Sequence, residues 1–187
     1  MILGFGSMIY HATLRQVQQQ SDETPMLWEM LLYLYILYSP DWHYRSTMPT
    51  FIFIYGVILA AAHAVVGFGI GFRLHYVFLC FLCVPRMYKY YIYTQDTHAK
   101  RLAKWYAAAL FFATSCWLCD RFLCKELSLL PINPQGHALW HVLMGFNSYF
   151  ANTFLMYCRS EQRGWAPKVV YFMGVLPYVK IEKPKTQ

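Results

Sequence analysis

The sequence predicts an all-α protein, a polytopic helix bundle that crosses a membrane. Of its 187 residues, 58% are hydrophobic and 19% are aromatic, whereas only 13% carry a charge. An ordinary soluble domain of this length is much more polar. The apolar residues also gather into blocks, most of which approach the roughly 20 helical residues needed to cross a hydrocarbon core of about 30 Å.

Six apolar segments follow one another along the chain, with short connections, no internal repeat and no inserted soluble domain. The segments lie near residues 1–14, 25–39, 49–67, 74–93, 104–123 and 137–158. We therefore expect one bundle over residues 1–158 and a tail over residues 159–187. Within the fourth segment, Arg86 and Lys89 follow Pro85 closely, so we expect that helix to break or end early near the proline.

The first segment is too short to cross a membrane by itself. A helix over residues 1–14 reaches only about 21 Å. It has neither the basic start nor the small-residue cleavage site of a signal peptide. We expect this segment to be the last part of a span whose beginning is absent, so that the chain is truncated at its N-terminus.

The distribution of lysine and arginine predicts the orientation of the bundle. When the six segments alternate across the bilayer, most basic residues fall on the side of the tail, which the positive-inside rule places in the cytosol. The net charge of +7 then faces lipid headgroups, and we expect no nucleic-acid partner. The final residues, KPKTQ, are similar to a dilysine signal for retrieval to the endoplasmic reticulum.

The cysteines include two C-x-x-C pairs, CFLC at 80–83 and CWLC at 116–119. Paired cysteines can form a zinc site, but structural zinc pairs usually sit on loops. Both pairs here fall in predicted helices, which favours small packing residues over a four-cysteine metal site.

A few polar side chains within the apolar segments are the best candidates for a functional site, because such groups are costly to bury in a membrane. Ser7 and His11 share one helical face at the end of segment one, and His137 and His141 share a face at the start of segment six. Asp22 lies just before Pro25, where segment two is expected to begin.

Alternation across the membrane brings these polar groups to one side and one depth. Three histidines and a carboxylate there have the make-up of a zinc site, in which three imidazoles leave a fourth position open. For His137 and His141, the alternative is that their i, i+4 spacing arises by chance and that their rings make ordinary helix–helix hydrogen bonds. His63, alone in AAAHAVVG, is interpreted as a helix–helix hydrogen bond. Glu29 lies on the same helical face as Asp22. It is expected either to hydrogen-bond to the residues of the site or to make a simple interhelical contact.

The constellation resembles the alkaline ceramidase family, seven-helix membrane amidases in a wider group with adiponectin-receptor-like proteins. The stretches that carry the resemblance are GSMIYHATL at 6–14, DETPM at 22–26, WLCDRFLC at 117–124, HALWHVLMGFNSYF at 137–150 and APKVVYFMGVLPYV at 166–179. Together they extend over essentially the whole chain.

The resemblance implies that His11, His137 and His141 are the zinc ligands, and that Ser7 and Asp22 are the catalytic polar groups beside the metal. It implies hydrolysis of the amide bond of ceramide to sphingosine and a fatty acid, with the alkyl chains between the helices. It also implies residence in the endoplasmic reticulum or the Golgi apparatus.

The family has a further helix and an acidic calcium-binding segment before the helix that carries the serine and histidine, and neither precedes Met1. A non-catalytic truncated membrane paralogue, acting as a lipid-binding or regulatory protein, is therefore the alternative function.

Overall fold

The computed structural model describes residues 2–13, 16–41, 46–67, 69–131 and 134–182. The helices are α1 (Ile2–Thr13), α2 (Gln16–Tyr38), α3 (Met48–Val66), α4 (Gly69–Tyr93), α5 (Thr97–Phe122), α6 (Cys124–Ser128) and α7 (Gly136–Gln162). Two strands, β1 (Ala166–Phe172) and β2 (Leu176–Glu182), follow them. The predicted all-α class is confirmed, and each predicted segment is helical. The KPKTQ motif lies outside the described residues.

Three of the described helices, α3, α4 and α5, are long and apolar enough to cross a membrane. Their outward-facing side chains are mostly large and apolar; Phe51, Phe81 and Phe111 are each more than two-thirds exposed. Such a surface is stable in lipid and unfavourable in water. These three helices indicate a membrane protein.

The chain divides into two compact units, residues 1–89 and 90–187. In the first unit, α2 packs between α1 and α3 around the buried Leu27 and Leu31. In the second, α5 and α7 pack along their length around Ala113 and Phe154.

Helix α2 begins well before the predicted start of segment two. It starts at Gln16, so most of the connection expected over residues 15–24 is helical, and Pro25 lies inside the helix. The glutamines of QVQQQ are good helix formers. Because proline has no N–H, the carbonyl of Ser21 loses its donor within the helix. That carbonyl faces α1 instead.

The prediction that the fourth segment breaks near Pro85 is wrong, since α4 continues from Gly69 to Tyr93. Contacts from the end of α2 stabilise the segment. The hydroxyl of Tyr38 donates to the carbonyl of Leu82 at 2.8 Å, one residue after the carbonyl that Pro85 leaves without a donor. Asp41 pairs with Arg86 and lies 3.5 Å from the ammonium of Lys89.

The tail contains an antiparallel hairpin that the sequence analysis did not predict. Its strands pair with Val169 opposite Val179 and are joined by a turn in which Met173 and Gly174 have positive φ. A turn of this kind matches the twist of a two-stranded hairpin. The hairpin folds back on α7, where the Tyr149 hydroxyl donates to the carbonyl of Pro177 at 2.7 Å.

Candidate active site

Ser7 and Asp22 lie buried in the first unit, beside the closest approach of α1 and α2. The Ser21 hydroxyl donates to the carbonyl of Gly6 at 2.9 Å. The Ser21 carbonyl faces Gly6 so closely that a Cβ on this glycine would lie 1.9 Å from the oxygen. Small residues allow such approaches between membrane helices. Since Ser7 follows Gly6 and Asp22 follows Ser21, this contact sets the positions of both buried side chains.

Asp22 and its neighbour Glu23 differ in how their carboxylate oxygens are hydrogen-bonded. Both oxygens of Glu23 are engaged, Oε1 by the Gln19 amide at 2.7 Å and Oε2 by His63 Nε2 at 2.5 Å. Oδ1 of Asp22 is buried and has no hydrogen-bond partner among the described residues. A buried polar atom without a partner costs about 1–3 kcal/mol. Asp22 is therefore suited to a partner from outside the chain, such as water or a substrate, whereas Glu23 is held in place.

His63 makes the interhelical hydrogen bond expected of it, but its partner was missed in the sequence. Its Nε2 reaches Glu23, and its ring stacks on Phe72 with centroids 4.5 Å apart. Two ionisable residues, one just before the second apolar segment and one within the third, are the signal that could have suggested the pair. Glu23 and His63 meet because of the register of α2 against α3, and neither segment's sequence predicts that register.

Two further candidate residues of the first unit, His11 and Glu29, are less enclosed than Ser7 and Asp22. His11 lies one turn after Ser7 near the end of α1 and is exposed. Glu29 is half-buried and accepts a hydrogen bond from the Tyr33 hydroxyl, one turn later in the same helix, at 3.2 Å.

His137 and His141 lie in the first turns of α7, in the second unit, with their Nε2 atoms 3.2 Å apart. Two imidazoles bound to one tetrahedral zinc at about 2.0–2.1 Å would have their nitrogens about 3.3–3.4 Å apart. The observed spacing matches that value closely, and it also permits a hydrogen bond between the rings. Trp140 packs against both imidazoles, with centroids 5.3 Å from His137 and 4.5 Å from His141.

A second glycine fixes the start of α7. A Cβ on the buried Gly136 would lie 2.9 Å from the carbonyl of Cys116 and 3.0 Å from Cβ of Asp120. Helix α7 thus begins in tight contact with the last turns of α5. The position of His137, the next residue, depends on that contact.

The described residues contain histidines that could bind a metal. His137 and His141 each offer one ring nitrogen, and so does His11 in the first unit. The six cysteines are free thiols.

Comparison with known proteins identifies the family. The family model described as Ceramidase matches residues 1–180. The chain belongs to the ceramidase family. It is 72% identical to the alkaline ceramidase of Arabidopsis thaliana over 100% of this chain and 73% of that protein. Over 97% and 98% of the chain, it is 27% identical to alkaline ceramidase 3 of Mus musculus and 26% identical to the alkaline ceramidase of Drosophila melanogaster, of which it covers 72% and 68%.

No solved structure matches this ceramidase-family chain. Its membership confirms the predicted family and the predicted enzyme class, a ceramidase hydrolase. The family also suggests a metal cofactor, in agreement with the histidines that could bind one.

Proposed function

We propose that this chain hydrolyses the amide bond of ceramide, releasing sphingosine and a fatty acid, at a zinc ion held by His11, His137 and His141. The substrate class rests on the 72% identity to a protein named alkaline ceramidase. The observation that carries the metal site is the 3.2 Å separation of the Nε2 atoms of His137 and His141. Neutral imidazoles are the commonest ligands of catalytic zinc.

Zinc held by these residues would act as a Lewis acid and would lower the pKa of water toward neutrality. Asp22 supplies the proton transfers. Its buried Oδ1, without a partner among the described residues, accepts a proton from the attacking water. The same carboxyl then gives the proton to the amide nitrogen as the C–N bond breaks, so that the products are an amine and a carboxylic acid.

Ser7 stabilises the oxyanion in this proposal. Its hydroxyl donates a hydrogen bond to the amide carbonyl oxygen as negative charge develops there. Ser7 and Asp22 are both only 7% exposed. Electrostatic interactions are much stronger in such surroundings than in water.

The proposed setting is the membrane of the endoplasmic reticulum or the Golgi apparatus, with the tail in the cytosol. Three membrane-length helices support the membrane location. A lipid with two alkyl chains reaches a buried site most directly from within the bilayer.

Substitution of the proposed residues tests the site. We expect His141→Ala to lose bound metal and to lower sphingosine release to background. We expect Asp22→Asn to retain metal and to lower kcat about 10²–10⁴-fold, and Ser7→Ala to lower kcat about 10²–10³-fold.

His98→Ala is the matched control, because it removes a histidine that is not a proposed ligand. His98 lies at the start of α5 and packs edge-on against Tyr171 of the hairpin. This variant should keep both its metal and its turnover. Full turnover by His141→Ala, in protein with the same folded yield, would refute the proposed metal site.

A further inference from the structure

The hairpin of β1 and β2 has two unlike faces. On the inner face, Val169 and Pro177 are buried, and both strands pack on α7. On the outer face and in the turn, large apolar side chains remain exposed. These are Phe172 (55% exposed), Met173 (84%), Val175 (71%), Leu176 (46%) and Tyr178 (46%).

The outer face changes from apolar to charged along the hairpin. Phe172 lies opposite Leu176 beside the turn, and Lys168 lies opposite Lys180 farther from it. Two lysines directly across a hairpin repel each other. Glu182 lies 3.9 Å from the ammonium of Lys180 and offsets this repulsion only weakly, because both side chains are more than 60% exposed. An anionic surface next to the two lysines would relieve that repulsion.

The hairpin runs back along α7, which fixes the direction of its turn. It begins four residues after the end of α7, yet the carbonyl of Pro177 accepts a hydrogen bond from Tyr149, thirteen residues before that end. At about 1.5 Å per residue, the turn lies about 20 Å back along the helix. Tyr149 therefore marks the level of the turn on α7.

Contacts between α5 and α7 relate this level to the membrane. Phe150 packs on Trp105 with ring centroids 5.3 Å apart, and the amide of Asn147 donates to the carbonyl of Tyr106 at 2.9 Å. At this point the sequence of α5 changes from basic (Lys100, Arg101 and Lys104) to the apolar run that starts at Trp105. A change from lysine and arginine to tryptophan and apolar residues marks the boundary between headgroups and hydrocarbon.

We propose that the turn of the hairpin, residues 172–176, inserts into the membrane interface beside α5 and that Lys168 and Lys180 contact anionic lipid headgroups. Four residues of extended strand separate Phe172 from Lys168, about 13 Å. The headgroup layer of one leaflet is about 5–8 Å thick. The apolar turn therefore reaches the acyl boundary while the lysines stay at or above the phosphates.

Fluorescence depth measurements on the full chain in vesicles test this proposal. An environment-sensitive probe is attached at Met173→Cys, in a background whose six native cysteines are replaced by alanine. Lys180→Cys, on the same outer face, is the matched control. The vesicles contain phosphatidylcholine, with or without phosphatidylserine, and a quencher attached to the lipid chains.

We expect the probe at position 173 to be quenched several-fold more strongly than the probe at position 180. Adding phosphatidylserine should increase quenching at position 173, and Lys168→Gln with Lys180→Gln should abolish that increase. Equal quenching at the two positions would overturn insertion of the turn. A probe at 173 that is shielded from water but not quenched by lipid would assign the turn to a protein partner and also overturn it. No response to phosphatidylserine would overturn the role of the lysines.

Discussion

Gly6→Ala is expected to impair catalysis although Gly6 itself has no chemical role. The added Cβ would lie 1.9 Å from the Ser21 carbonyl oxygen, whereas ordinary contact begins at 3.4 Å. The obstructing atom belongs to the backbone, so relief requires α1 and α2 to separate or slide by about 1.5 Å. Ser7 and Asp22 lie next to this contact and would shift with it.

Misplacement of a catalytic group by about 1 Å can cost about 10²-fold in rate. We therefore expect Gly6→Ala to lower kcat for ceramide about 100-fold, measured as sphingosine release by purified protein. Gly145→Ala is the matched control, because Gly145 is also helical and nothing lies within 4 Å of an added Cβ. That change should be neutral or slightly stabilising, since alanine is the better helix former by about 1 kcal/mol. Wild-type turnover in Gly6→Ala would refute the argument that this contact positions Ser7 and Asp22.

Three further predictions concern other contacts. Glu23→Ala leaves the buried His63 without its hydrogen-bond acceptor and should lower the free energy of unfolding by about 1–3 kcal/mol. Adding His63→Phe should recover most of the loss of melting temperature. A double variant no more stable than Glu23→Ala would contradict the pairing. Gly136→Ala should reduce metal content, measured by elemental analysis, because a Cβ there meets a backbone carbonyl at 2.9 Å; unchanged metal content would contradict this role. The hydrogen bond from Arg86 lowers the pKa of Asp41 below its usual value, so the pair stabilises the fold above the unfolded pKa near 3.9 and loses this effect as pH falls through the folded pKa. Asp41→Asn should cost less than about 1 kcal/mol at neutral pH, since the carboxylate is half exposed, and its melting curves should converge with those of the wild type in acid; a constant difference at all pH values would contradict the assignment.

The sequence predicts the helices well where apolar length decides the structure, and poorly where tertiary contacts override local signals. Pro25 and Pro85 each indicate a helix boundary, yet both lie inside helices. In both cases, groups from elsewhere in the fold contact the helix near the hydrogen bond that proline removes. The Ser21 carbonyl packs on Gly6, and the Tyr38 hydroxyl donates to the carbonyl of Leu82.

The candidate site shows the same division. The i, i+4 spacing of His137 and His141 is sufficient to predict that their rings share a face, and the structure places their Nε2 atoms 3.2 Å apart. Glu23 and His63 are forty residues apart in sequence, and the hydrogen bond between them depends instead on the register of α2 against α3. The hairpin was missed because its alternating pattern is short and lies in a segment interpreted as a tail.

Metal-dependent hydrolysis is tested most directly by sphingosine release from ceramide by the purified 187-residue chain, measured before metal removal, after removal with a chelator and after return of Zn²⁺. We expect release to fall as metal leaves the protein and to recover when Zn²⁺ is restored, with no recovery in His141→Ala. Undiminished release from protein shown by elemental analysis to be free of metal would contradict this expectation.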